Sequence, residues 1–142
     1  MPLVRLVLDT NTVISALLWN GSPRRLLDAA LSGAVDLYSS AVLIAELREV
    51  LAYAKFTRRL SANVETVDRC VGRYMAIANL TVTAIIEGAV AAAPDDDHVI
   101  ACTLAAQADG IVTGDAHLLN LKQYQGMRIV TASAALALLG NV

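Results

Sequence analysis

At 142 residues the chain is long enough to bury one core and too short for two ordinary domains; with 56% apolar, 17% charged and 4% aromatic residues, that core must be made of Leu, Val, Ile and Ala, as where helices pack on a β-branched sheet. No apolar run approaches the roughly 18 residues that span a bilayer, and no basic segment leads into a long apolar stretch, so neither a membrane anchor nor a signal peptide is indicated and a cytoplasmic protein is expected. The net charge of -2 does not exclude a polyanionic substrate: if four of the 13 acids form one site, nine remain against 11 basic residues, and the rest of the molecule carries +2.

The chain opens on Leu3 to Asn11, LVRLVLDTN. Aliphatic residues on both sides of the alternation mark Leu6-Val7-Leu8 as a strand buried on both faces, the pattern of a parallel sheet, with Asp9 at its carboxyl end. Ligands of open α/β sheets bind beyond the carboxyl ends of the strands, which makes Asp9 a candidate site residue; capping of the next helix by Asp9 and Thr10 is the plainer alternative. Val13, Ile14, Leu17 and Leu18 give that helix one apolar face, ending near Asn20-Gly21. Ser22 and Pro23 then read as a cap and a first helical residue, with Leu26, Leu27, Ala30 and Leu31 leading to a stop at Gly33. Val35 to Tyr38 is a short strand, and Ser39-Ser40 opens a helix whose expected buried positions are Val42, Leu43, Leu47, Val50 and Leu51. Glu46 stands among them. An acid there is costly to bury unless its charge is compensated; otherwise it borders the stripe and reaches water.

Tyr53 to Leu60, YAKFTRRL, is where basic residues interleave with aromatics. Lys55, Arg58 and Arg59 around Phe56 could track a phosphate backbone, or the stretch could be a solvated connector between helices. Ser61 is expected to cap a long helix with Val64, Val67, Val71, Tyr74 and Ala78 at helical spacing, and a third strand is expected over Leu80 to Ala84. Ile85 to Ala93 is too mixed to assign. Pro94-Asp95-Asp96-Asp97 opens a further helix with acids in its first turn, where the dipole favours them. Counting from Asp97 gives Ile100, Ala101, Leu104 and Ala108, all apolar, so Asp97 begins the inward row; the row from Asp96, with Val99, Ile100 and Thr103, is expected as a flank, and Asp95 as a cap. Ile111-Val112-Thr113 is a fourth buried strand that leads to Asp115, Met127 to Val130 a fifth, and Ser133 to Leu139 a last helix. Strands alternating with helices predict a three-layer α/β/α sandwich with a mostly parallel sheet. Cys70 and Cys102, far apart and on apolar faces, are expected as core residues rather than a disulfide or metal pair.

Four acids occupy related positions: Asp9 and Asp115 at strand ends, Asp97 at a helix start, Glu46 on a helix that follows a strand. Parallel strands point their carboxyl ends to one edge, so at least three of the four can converge there. Converging carboxylates repel and are tolerated chiefly around a cation. All-oxygen ligation suits Mg²⁺ or Mn²⁺, and the absence of a Cys or His pair at ligand spacing argues against zinc. His98 and His117, beside two of the acids, are expected at the surface or in support of the ligands rather than as ligands.

LVLDTNTVISALL at the start, IAELREVLAYAKF around Glu46 and PDDDHVIACTLAAQADGIVTGDAHLL near the end together resemble the PIN-domain ribonucleases, in particular the bacterial and archaeal PIN proteins grouped with VapC-type toxins. The resemblance covers nearly the whole chain, in the right order. It implies an α/β/α sandwich, an acidic site at Asp9, Glu46, Asp97 and Asp115 with Asn11 and Thr113 as polar neighbours, Mg²⁺ or Mn²⁺ as cofactor, and hydrolysis of RNA phosphodiesters. It also implies a small antitoxin partner and often a homodimer. A metal would polarise a phosphate oxygen and lower the pKa of the attacking water.

A haloacid-dehalogenase-type phosphatase would need a second Asp two residues after Asp9, where the chain has Asn11. A receiver domain would need an acidic pair leading into the first helix and a Lys after the fifth strand, whereas Lys122 precedes that strand. A module that binds metal or RNA without cutting stays open.

Overall fold

The computed structural model describes residues 3–82 and 94–140, with the backbone alone at 94–96. Its first strand, β1 (Arg5–Leu8), lies inside a six-stranded sheet because both its faces are apolar: Leu6 and Leu8 turn into one layer of the core and Val7 into the other. Strands β2 (Asp36–Ser40) and β3 (Asn79–Thr81) add on one side of it, β4 (Gly110–Val112) and β6 (Met127–Val130) on the other, all parallel. The two-residue β5 (Gln123–Tyr124) closes the far edge antiparallel to β6, giving the order β3-β2-β1-β4-β6-β5. The chain thus grows outward from β1 and then returns to β1's other side as β4. The strand order reverses between β1 and β4, which is where an open α/β sheet has its ligand crevice.

Helices α1 (Thr10–Leu18), α2 (Ser22–Leu31), α3 (Ala41–Leu51), α4 (Ala54–Ala62), α5 (Val67–Ile77) and α8 (Ala132–Leu138) cover one face, where Ile14, Leu26, Leu47, Val71 and Leu136 pack with Leu6, Leu8, Leu37 and Val112. Helices α6 (Pro94–Ala105) and α7 (Ala116–Leu121) cover the other, where Val99, Ile100 and Leu118 meet Val7, Ile111 and Ile129. The result is the expected three-layer α/β/α sandwich. Polar residues at strand ends start the helices: Asp9, Ser40, Asp115 and Thr131 each accept a backbone N–H of the helix that follows. Gly110 opens β4 because β6 runs so close that a Cβ there would lie 2.9 Å from the Arg128 carbonyl oxygen. Among the described residues no helix is long and apolar enough to cross a membrane.

Several expectations shift. The long helix expected from Ser61 does not start there: Ser61 lies in the last turn of α4, and α5 begins only at Val67. Asn63 and Val64 leave helical geometry, with Val64 at φ 55° and 82% exposed, and Thr66 caps α5 instead by accepting the Arg69 N–H at 3.1 Å. Val64 falls in phase with the α5 stripe by sequence alone, which disguised the break. YAKFTRRL is no connector between helices: Tyr53 caps α4 and the rest of the stretch lies within that helix. Helix α2 includes Ser22 and is capped by Gly21 without a side-chain bond, one residue earlier than expected. Val42 is exposed, because the buried row of α3 is Leu43, Ile44, Leu47 and Leu51, and helical rotation carries its neighbour outward. The row counted from Asp96 is no flank: Val99, Ile100 and Thr103 are all buried, so burial along α6 does not separate Asp96 from Asp97. Of the expected strand Leu80 to Ala84, β3 holds Leu80 and Thr81, while 83 and 84, like the unassigned Ile85 to Ala93, lie outside the described residues. Cys70 and Cys102 are buried, free thiols, as expected.

Candidate active site

Asp9 stands at the reversal point, directly after β1, only 8% exposed. Its backbone N–H donates to the Val112 carbonyl at 3.1 Å, which ties the end of β1 to the end of β4. One carboxylate oxygen, Oδ1, accepts the Thr12 N–H at 2.9 Å as the cap of α1; the other, Oδ2, accepts the Thr113 hydroxyl. Thr113, buried just beyond β4, also accepts the Asp115 N–H at 2.9 Å. Asp115, partly buried, in turn accepts the His117 N–H through Oδ1 at 2.7 Å. A single hydroxyl therefore joins the acids at two strand ends. The plain capping role and the site role of Asp9 are compatible, since each carboxylate oxygen has two lone pairs and one hydrogen bond leaves the other available.

Glu46 reaches this edge from α3, where it is half-buried and its Oε1 accepts the hydroxyl of Thr10, the residue after Asp9. Thr10 is buried and was missed as a site residue by the sequence reading, which saw it only as a cap; the bond spans 36 positions and has no local signal. Asp97 is half-buried in the first turn of α6. Asn11 is exposed and lines a cavity of about 200 Å³ with Ser15, Thr113 and Gly114. His98 and His117 are exposed.

Among the described residues no three His, Cys, Asp or Glu side chains stand close enough to hold one metal ion. The described geometry instead joins Asp9 to Asp115 through Thr113 and Glu46 to Thr10 beside Asp9. The donor chemistry nevertheless fits a hard cation. The partners of Asp9 and Asp115 are neutral N–H and O–H groups, and among the described residues neither acid has a Lys or Arg ion partner, the arginine pairs going to Asp28, Asp68 and Glu65. Negative charge is left for a cation to offset.

The basic stretch divides. Arg59 donates from Nε at 3.0 Å and Nη2 at 2.7 Å to the Leu18 carbonyl, closing the end of α1, and its guanidinium lies 4.5 Å from the Trp19 ring centroid. Its geometry is that of a structural clamp. Arg58 and Lys55 are exposed, the latter with its ammonium 4.9 Å from the Phe56 ring.

Beneath the site lies a buried polar group that the sequence reading treated as core. Tyr74 on α5 is 1% exposed, and its hydroxyl has no hydrogen-bond partner among the described residues. Burial, with lesser contributions from Cys102 and Asp9, pushes its pKa above the ordinary tyrosine value. Burial also pushes the Cys102 thiol up to about 11, against the hydrogen bonds from Thr81 and Ser40 that lower it.

A family model described as PIN domain matches residues 5–117, from β1 into α7 and across all four acids. The chain belongs to the PIN-domain family. No curated protein and no solved structure matches it. PIN domains are generally nucleases and typically use divalent metals, which accords with the uncompensated carboxylates at the strand ends of this PIN domain.

Proposed function

We propose that this PIN domain is a Mg²⁺- or Mn²⁺-dependent endoribonuclease with Asp9, Glu46, Asp97 and Asp115 as its site. The observation that carries the reading is the join of Asp9 and Asp115 through the Thr113 hydroxyl at the point where strand order reverses. In it, Asp9 and Asp115 hold the cation, with Glu46 and Asp97 completing the negative rim. A bound divalent cation supplies polarisation of the scissile phosphate and a water of lowered pKa. Thr113 fixes the rotamer of Asp9, and Thr10 fixes that of Glu46, so the carboxylates meet substrate without reorganising. Asn11, exposed beside Thr113, is available to a phosphate or ribose oxygen.

The finer reading is that of a toxin, cytoplasmic and homodimeric, with a small antitoxin as partner. Its support is the likeness of the three acid-bearing segments to VapC-type proteins. Growth arrest on expression, relieved by the product of a short neighbouring reading frame, tests it. The nuclease reading is tested by incubating the purified protein with end-labelled RNA, and with DNA of the same sequence, in Mg²⁺, Mn²⁺ or EDTA. Internal cuts that need metal and vanish in Asp9→Asn and Asp115→Asn are expected. RNA bound but not cut would favour a second reading, a binding module, to which the lack of three close ligands among the described residues also points.

A further inference from the structure

The outward row of α3 continues past Glu46 into a cleft that the nuclease reading does not use. Val42, Glu46, Glu49, Val50 and Tyr53 line it from the α3 side and His98 from α6; its volume is about 330 Å³, near the lower end of the roughly 300–1,000 Å³ of small-molecule sites. Two features make its composition informative. Val42 and Tyr53 are large apolar side chains left 42% and 51% exposed, and both face this cleft. Among the described residues its charged groups are the carboxylates Glu46 and Glu49, with no Lys or Arg in the lining.

A cleft of that kind repels phosphate and favours a flat apolar ligand that brings N–H donors to its rim. Because Glu46 belongs both to this cleft and to the proposed site, a strand cut at that site has an adjacent nucleotide within reach of the cleft. We propose that the cleft is a base-recognition pocket for guanine in one of the two nucleotides flanking the cut, with Glu49 as its reader. This rests on the nuclease reading for its location. Guanine is the base whose pairing edge carries N1–H and an N2 amine side by side, two parallel donors that match the two oxygens of one carboxylate; adenine and cytosine place an acceptor beside their amine, and uracil has a single N–H between acceptors. Glu46 is engaged with Thr10, so the carboxylate at the outer rim, Glu49, takes that edge, while the Tyr53 ring and Val42 cover the base faces.

The test is binding, measured without turnover. Fluorescence anisotropy of labelled single-stranded RNA tetranucleotides in EDTA compares a guanosine-containing sequence with its inosine counterpart, which lacks the N2 amine. Wild type should favour guanosine by about tenfold, the discrimination of a well-placed hydrogen-bonded base contact. Glu49→Gln should bring the ratio close to one, and Tyr53→Ala should weaken both ligands together; both positions are exposed, so folding is not at risk. Equal affinity for the two RNAs in wild type, or a preference that survives Glu49→Gln, overturns the pocket whether or not the protein cuts RNA. A cleft that ignores the base and instead binds argininamide through Glu49 also overturns it, reassigning the cleft to a side chain of a protein partner. A guanosine preference in a protein that never cuts RNA supports the pocket and removes the nuclease reading alone.

Discussion

The carboxyl edge of the sheet and the α4 patch were both conspicuous in the sequence for their charge, and the fold disposes of that charge in opposite ways. At the edge, Asp9 and Asp115 are held by backbone N–H groups and a threonine hydroxyl, donors that orient a carboxylate without neutralising it. At α4, the Arg59 guanidinium is consumed inside the molecule, by the last turn of α1 and the Trp19 ring. A charge oriented by neutral partners remains available to a ligand, whereas one turned onto a helix end serves the fold. Substitutions at four residues test that contrast, and one at a fifth tests a neutral group buried at the same edge.

The largest effect should come from Asp9→Asn. Asparagine caps helices as well as aspartate, so α1 keeps its start and the fold survives, yet the edge loses a formal charge. RNA cleavage should fall by about a hundredfold or more, as expected for loss of a metal-holding carboxylate. In EDTA the variant should melt at or above the wild-type temperature, since like charges are relieved. The rise in Tm that millimolar Mg²⁺ or Mn²⁺ gives the wild type should shrink. Equal metal responses in the two proteins would remove Asp9 from the metal site.

Next is Thr113→Val, which keeps shape and removes the hydroxyl joining Asp9 to Asp115. A buried carboxylate oxygen and a backbone N–H lose their partner, a loss of about 1–3 kcal/mol in stability, with the metal-induced rise in Tm reduced as well. Thr113→Ser should restore both. Failure of serine to do so would mean that the β-branched shape matters, and not the hydroxyl.

The arginines separate in the same way. Arg59→Ala should destabilise by about 1–2 kcal/mol through the lost carbonyl bonds and the lost cation over Trp19. Arg58→Ala should leave Tm unchanged and, if RNA runs along α4, lower the salt dependence of RNA binding by about one phosphate contact. Urea denaturation and a salt series on RNA binding decide both. An unchanged salt series for Arg58→Ala removes α4 from the RNA path.

This contrast also marks how far the sequence could be read. The alternation of Leu6, Val7 and Leu8, and the acids Asp9 and Asp115 that follow β1 and β4, exposed the parallel sheet and its candidate edge because both are local patterns. Arg59 and Glu46 were visible only as charges; their partners, Leu18 and Thr10, lie 41 and 36 residues away, and no periodicity encodes a contact of that kind. Strand β5 escaped notice because it has two residues and turns through Gln125-Gly126, both at positive φ, where Asn-Gly or Asp-Gly is the usual signal of such a hairpin. The apolar stripe through Val64 hid the break between α4 and α5 because Val64 is in phase with a helix it does not join.

The smallest effect should come from Tyr74→Phe, and its sign is informative. Both Asp9 and Tyr74 are buried polar groups, but the fold gives each oxygen of the charged one a donor and, among the described residues, leaves the neutral hydroxyl without a partner. Removing an unpartnered buried hydroxyl loses no hydrogen bond, so at pH 7 the variant should be as stable as wild type or up to about 1 kcal/mol more stable. A loss greater than that would show the hydroxyl to be bonded, for instance to a buried water. The pH profile gives a second readout. Burial holds the Tyr74 proton more tightly in the folded protein than in the unfolded chain, whose phenol has the ordinary value of 10.0. Above pH 10 the unfolded chain therefore binds fewer protons than the folded one, and stability falls with rising pH. Cys102 acts in the same direction from a lower start, losing stability between its ordinary 9.0 and about 11. Wild type should thus lose stability in two overlapping phases above pH 9. Tyr74→Phe should remove the later one and Cys102→Ala the earlier, in urea denaturation repeated from pH 8 to 11. A wild-type profile flat to pH 11 would mean that both groups titrate in the folded protein as they do in the unfolded chain.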